Sequence, residues 1–183
     1  MKPGRTIKFL AIVLVAIPAL VLASWLVTET MVEQTSDVEF CGSCHTMAPM
    51  VAAYRADIHG GGHPQGVRAK CTQCHIPADN VVSYITAKAR FGIHDAWAQM
   101  TYDLDAIDWH GKRAHREMYV FDSACLGCHK ELESATMSQP AAFVAHRPYF
   151  LGETQMKCVS CHPHVGHLYL SRYLPEPESG DQL

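Results

Sequence analysis

Charged and uncharged positions separate sharply at the start of the chain. Lys2, Arg5 and Lys8 precede a run from Phe9 to Thr28 that carries no charge and is closed by Glu29. Twenty helical residues rise about 30 Å, the hydrocarbon thickness of a bilayer, so the run is long enough for one transmembrane helix. Pro18 lies mid-run, a position that membrane helices tolerate. Three basic residues before the run and none directly after it place the N-terminus in the cytoplasm, with everything past Glu29 on the outer face. The rival reading is a cleaved signal peptide, with Val21 and Ala23 preceding a cut before Ser24. The apolar region of such a peptide spans about 7–15 residues, and this run is longer.

Past the anchor, Ala52 to Ile58 and Val81 to Met100 lack glycine and proline except Gly92, and are predicted helical. Gly60-Gly61-Gly62-His63-Pro64 reads as a loop. The polar, proline-containing end from Pro175 reads as disordered. The expected organisation is therefore a stub and anchor over residues 1–30, one exported domain over 31–170, and a disordered tail over 171–183.

Composition adds little until the cysteines are placed. The 183 residues carry a formal charge of −3, which gives nucleic acid no basic surface to bind. They also include 8 cysteines and 12 histidines. The cysteines fall in four pairs, each followed by histidine: Cys41-Gly-Ser-Cys44-His45, Cys71-Thr-Gln-Cys74-His75, Cys125-Leu-Gly-Cys128-His129 and Cys158-Val-Ser-Cys161-His162. C-x-x-C-H is the attachment signature of haem c. Two thiols three positions apart on one helical turn reach the two vinyl groups, and the adjacent imidazole reaches the iron.

Zinc and disulfides are the competing explanations. A four-cysteine zinc site needs no histidine after each pair, and four such coincidences have odds on the order of 10⁻⁵. No cysteine is left over for a disulfide. Four haems in so short an exported chain must themselves form the core. The expected fold is mainly α: one transmembrane helix and a small domain of short helices wrapped on haems, with little strand.

One N-terminal anchor followed by four such motifs resembles the NapC/NirT family of membrane quinol dehydrogenases. Within it, the resemblance is greatest to the small subunits of cytochrome c nitrite reductases. The matching residues run to about His167. They are Cys41-x-x-Cys44-His45-x-Met47, Ile58-His59-Gly60, Cys74-His75-Ile76-Pro77, a helix with Lys88 and Asp95, and Cys161-His162-Pro163-His164-Val165-Gly166-His167. The resemblance implies a single-pass protein of the bacterial inner membrane in anaerobic respiration, with its haem domain in the periplasm and several copies per complex. It implies that menaquinol is oxidised and that electrons pass to a periplasmic reductase, foremost a pentahaem nitrite reductase. Other partners in the family are periplasmic nitrate reductase, relatives of hydroxylamine oxidoreductase and soluble cytochromes.

The resemblance also implies axial ligands beyond the motif histidines His75, His129 and His162. His59 is implied for the fourth haem and His167 for the third. At the first haem Met47 takes the iron and His45 does not, although His45 remains the ordinary alternative, with Met47 as packing. The second haem is completed in the family by a lysine of the partner. His146 is an internal alternative, and His110 and His115 are weaker ones.

Quinol oxidation releases protons that haem does not take, so a base is needed beside the first haem. Lys88 and Asp95 are two turns apart and share a helix face that includes Phe91, with Trp97 and His94 close by. By resemblance Lys88 hydrogen-bonds a quinol oxygen and Asp95 accepts a proton; by spacing alone the pair is a solvated face. Two other functions stay open: a tethered carrier between soluble redox proteins, and a quinone reductase running in the opposite direction. A terminal reductase with an open iron is disfavoured by the number of spare histidines.

Overall fold

The structure, a computed structural model, describes residues 3–176, with side chains from Lys8 onward. Among these residues it is helical with no strand. Helix α1 (Pro3–Gln34) absorbs the whole apolar run and passes through Pro18 unbroken. Its 27-residue stretch Lys8–Gln34 is long and apolar enough to cross a membrane, and none of it is buried against the rest of the chain.

The end of α1 is fastened to the domain at several points. Lys70 pairs with Glu33, and Arg68 donates to Asp37 at 2.8 Å. Thr72 N donates to the Ser36 carbonyl at 3.3 Å. Lys88 Nζ reaches the Thr35 carbonyl and Ser36 Oγ, both at 2.9 Å. A cation at a helix C-terminus meets the negative end of the helix dipole and the carbonyls left without intrahelical partners.

The domain follows as short helices: α2 (Val38–Cys41), α3 (Ala48–Ala56), α4 (Thr72–His75), α5 (Val81–Thr101), α6 (Trp109–Ala114), α7 (Asp122–Cys128), α8 (Leu132–Met137), α9 (Pro140–Phe150) and α10 (Cys158–Cys161). The expected helix over 52–58 begins earlier, because Pro49 suits a first turn. It ends earlier too, because Asp57 turns extended and accepts from His59 N to start the tight turn Ile58–Gly60. α5 matches its expected span within one residue. Asn80 and Ser83 cap its start reciprocally.

Only eight apolar residues are buried among those described, and no large side chain is fully enclosed. A domain this size normally has a larger core. That deficit is what cofactor-built cores predict. The expected tail begins too early at 171: Leu170–Arg172 forms a 3₁₀ turn and Leu174 is buried, 7% exposed. The last part of that tail, 177–183, lies outside the described residues.

Candidate haem and quinol sites

Three of the four cysteine pairs lie on short helices, α4, α7 and α10, where one turn brings both thiols to the same side. The first pair straddles the end of α2, with Cys44 extended. Among the eight cysteines no two are joined in a disulfide. Among the described residues, no three histidine, cysteine or acidic side chains converge as a zinc cage requires.

The pairs form a row in sequence order. The neighbouring Cys71 holds the Cys41 thiol down near 7, against the effect of burial, while Cys41 and burial drive Cys71 up. Cys74 is raised to about 11 by burial and by the neighbouring Cys125 and Cys128. Cys158 neighbours Cys125 in turn. Asp122 ties the last two motifs together, accepting from Cys158 N at 3.0 Å and from the Tyr149 hydroxyl at 2.9 Å.

Three motif histidines face a second imidazole. The ring centres are 6.0 Å apart for His75 and His167, 6.3 Å for His129 and His59, and 6.1 Å for His162 and His146. A metal–imidazole bond is about 2.0–2.1 Å, and the bound nitrogen lies about 1.1 Å from the ring centre. Two imidazoles on opposite sides of one ion therefore sit about 6.3 Å apart. The three observed separations match that spacing.

Hydrogen bonds prepare the same rings. Nδ1 of His75 donates to the Tyr119 carbonyl at 2.7 Å, that of His167 to the Met50 carbonyl at 3.0 Å, and that of His146 to the Ala142 carbonyl at 2.8 Å. His59 Nδ1 donates to Asp57 at 3.0 Å. An acceptor at Nδ1 fixes the tautomer that leaves Nε2 free for a metal. Burial lowers His75, and burial with the nearby His75 holds His167 down to about 4, so both rings are neutral at pH 7. His110 differs: its Nε2 bonds the Pro175 carbonyl at 3.0 Å. The donor set fits three bis-histidine haems.

The ring pairing differs from the implied assignments at three residues. His59 faces His129 of the third motif, not His162 of the fourth. The turn Ile58–Gly60 and the Asp57 hydrogen bonds hold it there. His167 faces His75 of the second motif, not His129. Its chain segment folds back so that its ring bonds the carbonyl of Met50 on α3. His146 belongs with the fourth motif, because α9 sets it against His162. An imidazole of this chain thus faces the second motif, where the family resemblance implied a partner's lysine.

The first motif has no facing imidazole among these pairs. His45 is exposed, with Nε2 3.8 Å from Asp105. Met47 is half-buried on the 3₁₀ turn His45–Met47. Met50 is buried in α3.

Lys88 and Asp95 both act on Cys41, lowering and raising its thiol respectively, so both lie by the first motif. Lys88 is half-buried at the end of α1. Asp95 is 78% exposed at its side chain, 3.2 Å from His94 Nδ1. Phe91 stacks on Phe121 at 6.3 Å instead of lining open space. Sequence reasoning missed Asp57, which its position two residues before His59 could have suggested. It also missed Asp105. The backbone carbonyls that orient the rings leave no sequence signal.

Residues 2–172 match the NapC/NirT cytochrome c family, N-terminal region. The tetraheme c-type cytochrome CymA of Shewanella oneidensis is 30% identical over 92% of this chain and 95% of its own length. The cytochrome c-type protein NrfH of Wolinella succinogenes is 28% identical over 73% of this chain and 70% of its own. The cytochrome c-type protein TorY of Escherichia coli O157:H7 is 28% identical over 78% of this chain, which spans only 40% of that longer protein. Among solved structures, the crystal structure of the cytochrome c nitrite reductase NrfHA complex bound to the inhibitor HQNO contains a like-folded chain. Its TM-score is 0.55 at 22% identity, over 89% of this chain and 93% of the other.

Proposed function

The chain belongs to the NapC/NirT cytochrome c family, and from that premise we propose that it is a membrane-anchored tetrahaem quinol dehydrogenase feeding a periplasmic reductase. Haem c supplies four one-electron centres when attached. The chain's own part is to hold those centres and to manage protons. Each cysteine pair would anchor one haem through two thioethers. His75 with His167, His129 with His59, and His162 with His146 would hold three of the irons. Met47 would hold the first, since His45 is turned toward Asp105. Thioether ligation raises a haem's potential, which suits the first electron acceptor.

Oxidising a quinol releases two electrons and two protons. Lys88 Nζ binds a quinol oxygen in place of one of its present acceptors, and Asp95 takes a proton and returns it to outer-face water. The observation that carries this reading is the position of Lys88 and Asp95. Lys88 is bonded where α1 enters the domain, Asp95 follows two turns later on the same face of α5, and both charges act on the Cys41 thiol. The quinol we propose is menaquinol. The acceptor we propose is a pentahaem nitrite reductase, supported by the complex in which the like-folded chain was solved. Three imidazole pairs within one chain support ligation of those three haems without a ligand from that acceptor.

Stopped-flow reduction by a menaquinol analogue, followed in the haem α-band, tests the reading. Wild type is expected to reduce rapidly and to be blocked by a quinone-site inhibitor. Asp95→Asn should slow reduction at least tenfold with haem content unchanged. Ready reduction by dithionite but none by quinol would leave a tethered carrier.

A further inference from the structure

α5 has one face on the domain and an apolar face on nothing. Tyr84 donates to Thr72 Oγ1 at 3.3 Å, Lys88 caps α1, and Phe91 stacks on Phe121. At 100° per residue these three lie within about 60° of arc. On the outer side run Val82, Ile85, Ala89, Ile93, Trp97 and Met100, all within about 60° of one line along the helix, with Ile85 at the edge nearer the domain. Val82 is 74% exposed, Ile93 72%, Trp97 59% and Met100 73%. No charged residue interrupts the stripe, which is about 27 Å long. Arg90 stands at its rim. An uninterrupted apolar stripe on an exposed helix marks a contact surface.

The junction with α1 says what covers it. α5 meets α1 at Lys88 without packing along it. Thr35, which accepts from Lys88, lies seven residues past Thr28, the end of the uncharged run, or about 10 Å above the hydrocarbon edge. The headgroup layer is about 5–8 Å deep, and a helix with its side chains has a radius of about 5–6 Å. At that height a helix lying along the membrane plane, with its domain side away from the bilayer, presents its opposite side to the headgroup layer. We propose that the outer stripe of α5 lies in the interface of the bilayer that α1 crosses, with Trp97 among the headgroups and Arg90 near lipid phosphates. The haem domain is then seated on the membrane by an in-plane helix as well as by its anchor. This holds whether or not the electron donor is quinol.

The full haem-loaded chain, placed in nanodiscs of phosphatidylglycerol and phosphatidylethanolamine, is photolabelled by a phospholipid carrying a diazirine near its headgroup. Labelled peptides are then mapped by mass spectrometry. The expected result is label on residues 81–102 as well as on α1. Ile93→Glu and Met100→Glu should cut the α5 label at least threefold while α1 label and the α-band spectrum stay constant. Ile93→Ser is the milder variant if either glutamate disturbs haem loading. Label confined to α1 overturns the proposal. So does α5 labelling that is indifferent to these substitutions. Absence of α5 label with chain-to-chain crosslinks through α5 overturns it in favour of a second copy of this chain. Absence with protection of α5 only on adding a soluble acceptor overturns it in favour of a protein partner.

Discussion

Single imidazoles decide the chemistry of three of the four sites. Replacing a distal histidine leaves the motif histidine with an open position, so the iron changes from six-coordinate low-spin to five-coordinate high-spin. His59→Ala, His146→Ala and His167→Ala should each convert one site in four, read from visible absorption of the ferric protein. His110→Ala should convert none, because its Nε2 is engaged by the Pro175 carbonyl. A stronger high-spin signal in the His110 variant than in the parent protein would refute this ligand set. The orienting residue Asp57 is 4% exposed and accepts from both the ring and the backbone nitrogen of His59. Asp57→Ala should cost about 1–2 kcal/mol and leave the third site a mixture of spin states that Asp57→Asn partly rescues. None of these pairings could be read from the sequence. The motifs identified His75, His129 and His162, but which distal ring meets which motif depends on a fold-back that sets His167 against Met50.

Among elements, the short ones depend on what they hold. α4 and α10 are four residues each, far below the length at which a helix is stable alone. Their start and stop points were legible only through the motif. The 3₁₀ turn Ile58–Gly60 is held by crowding as well as by its cap: a Cβ on Gly60 would collide with the Tyr54 carbonyl. Gly60→Ala should therefore displace His59 and lower the melting temperature, with a high-spin signal like that of His59→Ala. At the other end, α1 and α5 were legible to within a few residues, because long periodic or apolar segments carry their own signal. Their junction was not legible. Lys88, expected at a quinol oxygen, also closes the C-terminus of α1. Lys88→Ala should then cost about 1–2 kcal/mol by losing that cap. The melting temperature should fall by roughly 2–8 °C, in addition to any loss of quinol oxidation.

For the molecule as a whole, the thin apolar core is the governing fact. With eight apolar residues buried among those described, side-chain packing alone cannot offset the ordering of so many short segments. Chain produced without haem attachment should show the far-ultraviolet helix signal of α1 and little cooperative unfolding. A cooperative transition in haem-free chain would mean that the core is built otherwise. The sequence made this dependence visible, because four attachment motifs in so short a domain leave little room for another core. It did not show that three imidazole pairs come together within one chain.

The ring planes at the three imidazole pairs are not alike. His146 and His162 are inclined by only 22°, whereas the other two pairs are inclined by 52° and 60°. The magnetic anisotropy of a low-spin ferric ion follows the relative orientation of its two axial planes. Near-parallel planes split the iron d orbitals and give a rhombic resonance; steeply crossed planes leave them nearly degenerate and give a single broad low-field feature. The fourth motif's site should therefore carry its own magnetic signature. A partly reduced sample could then report whether an electron has reached the last site.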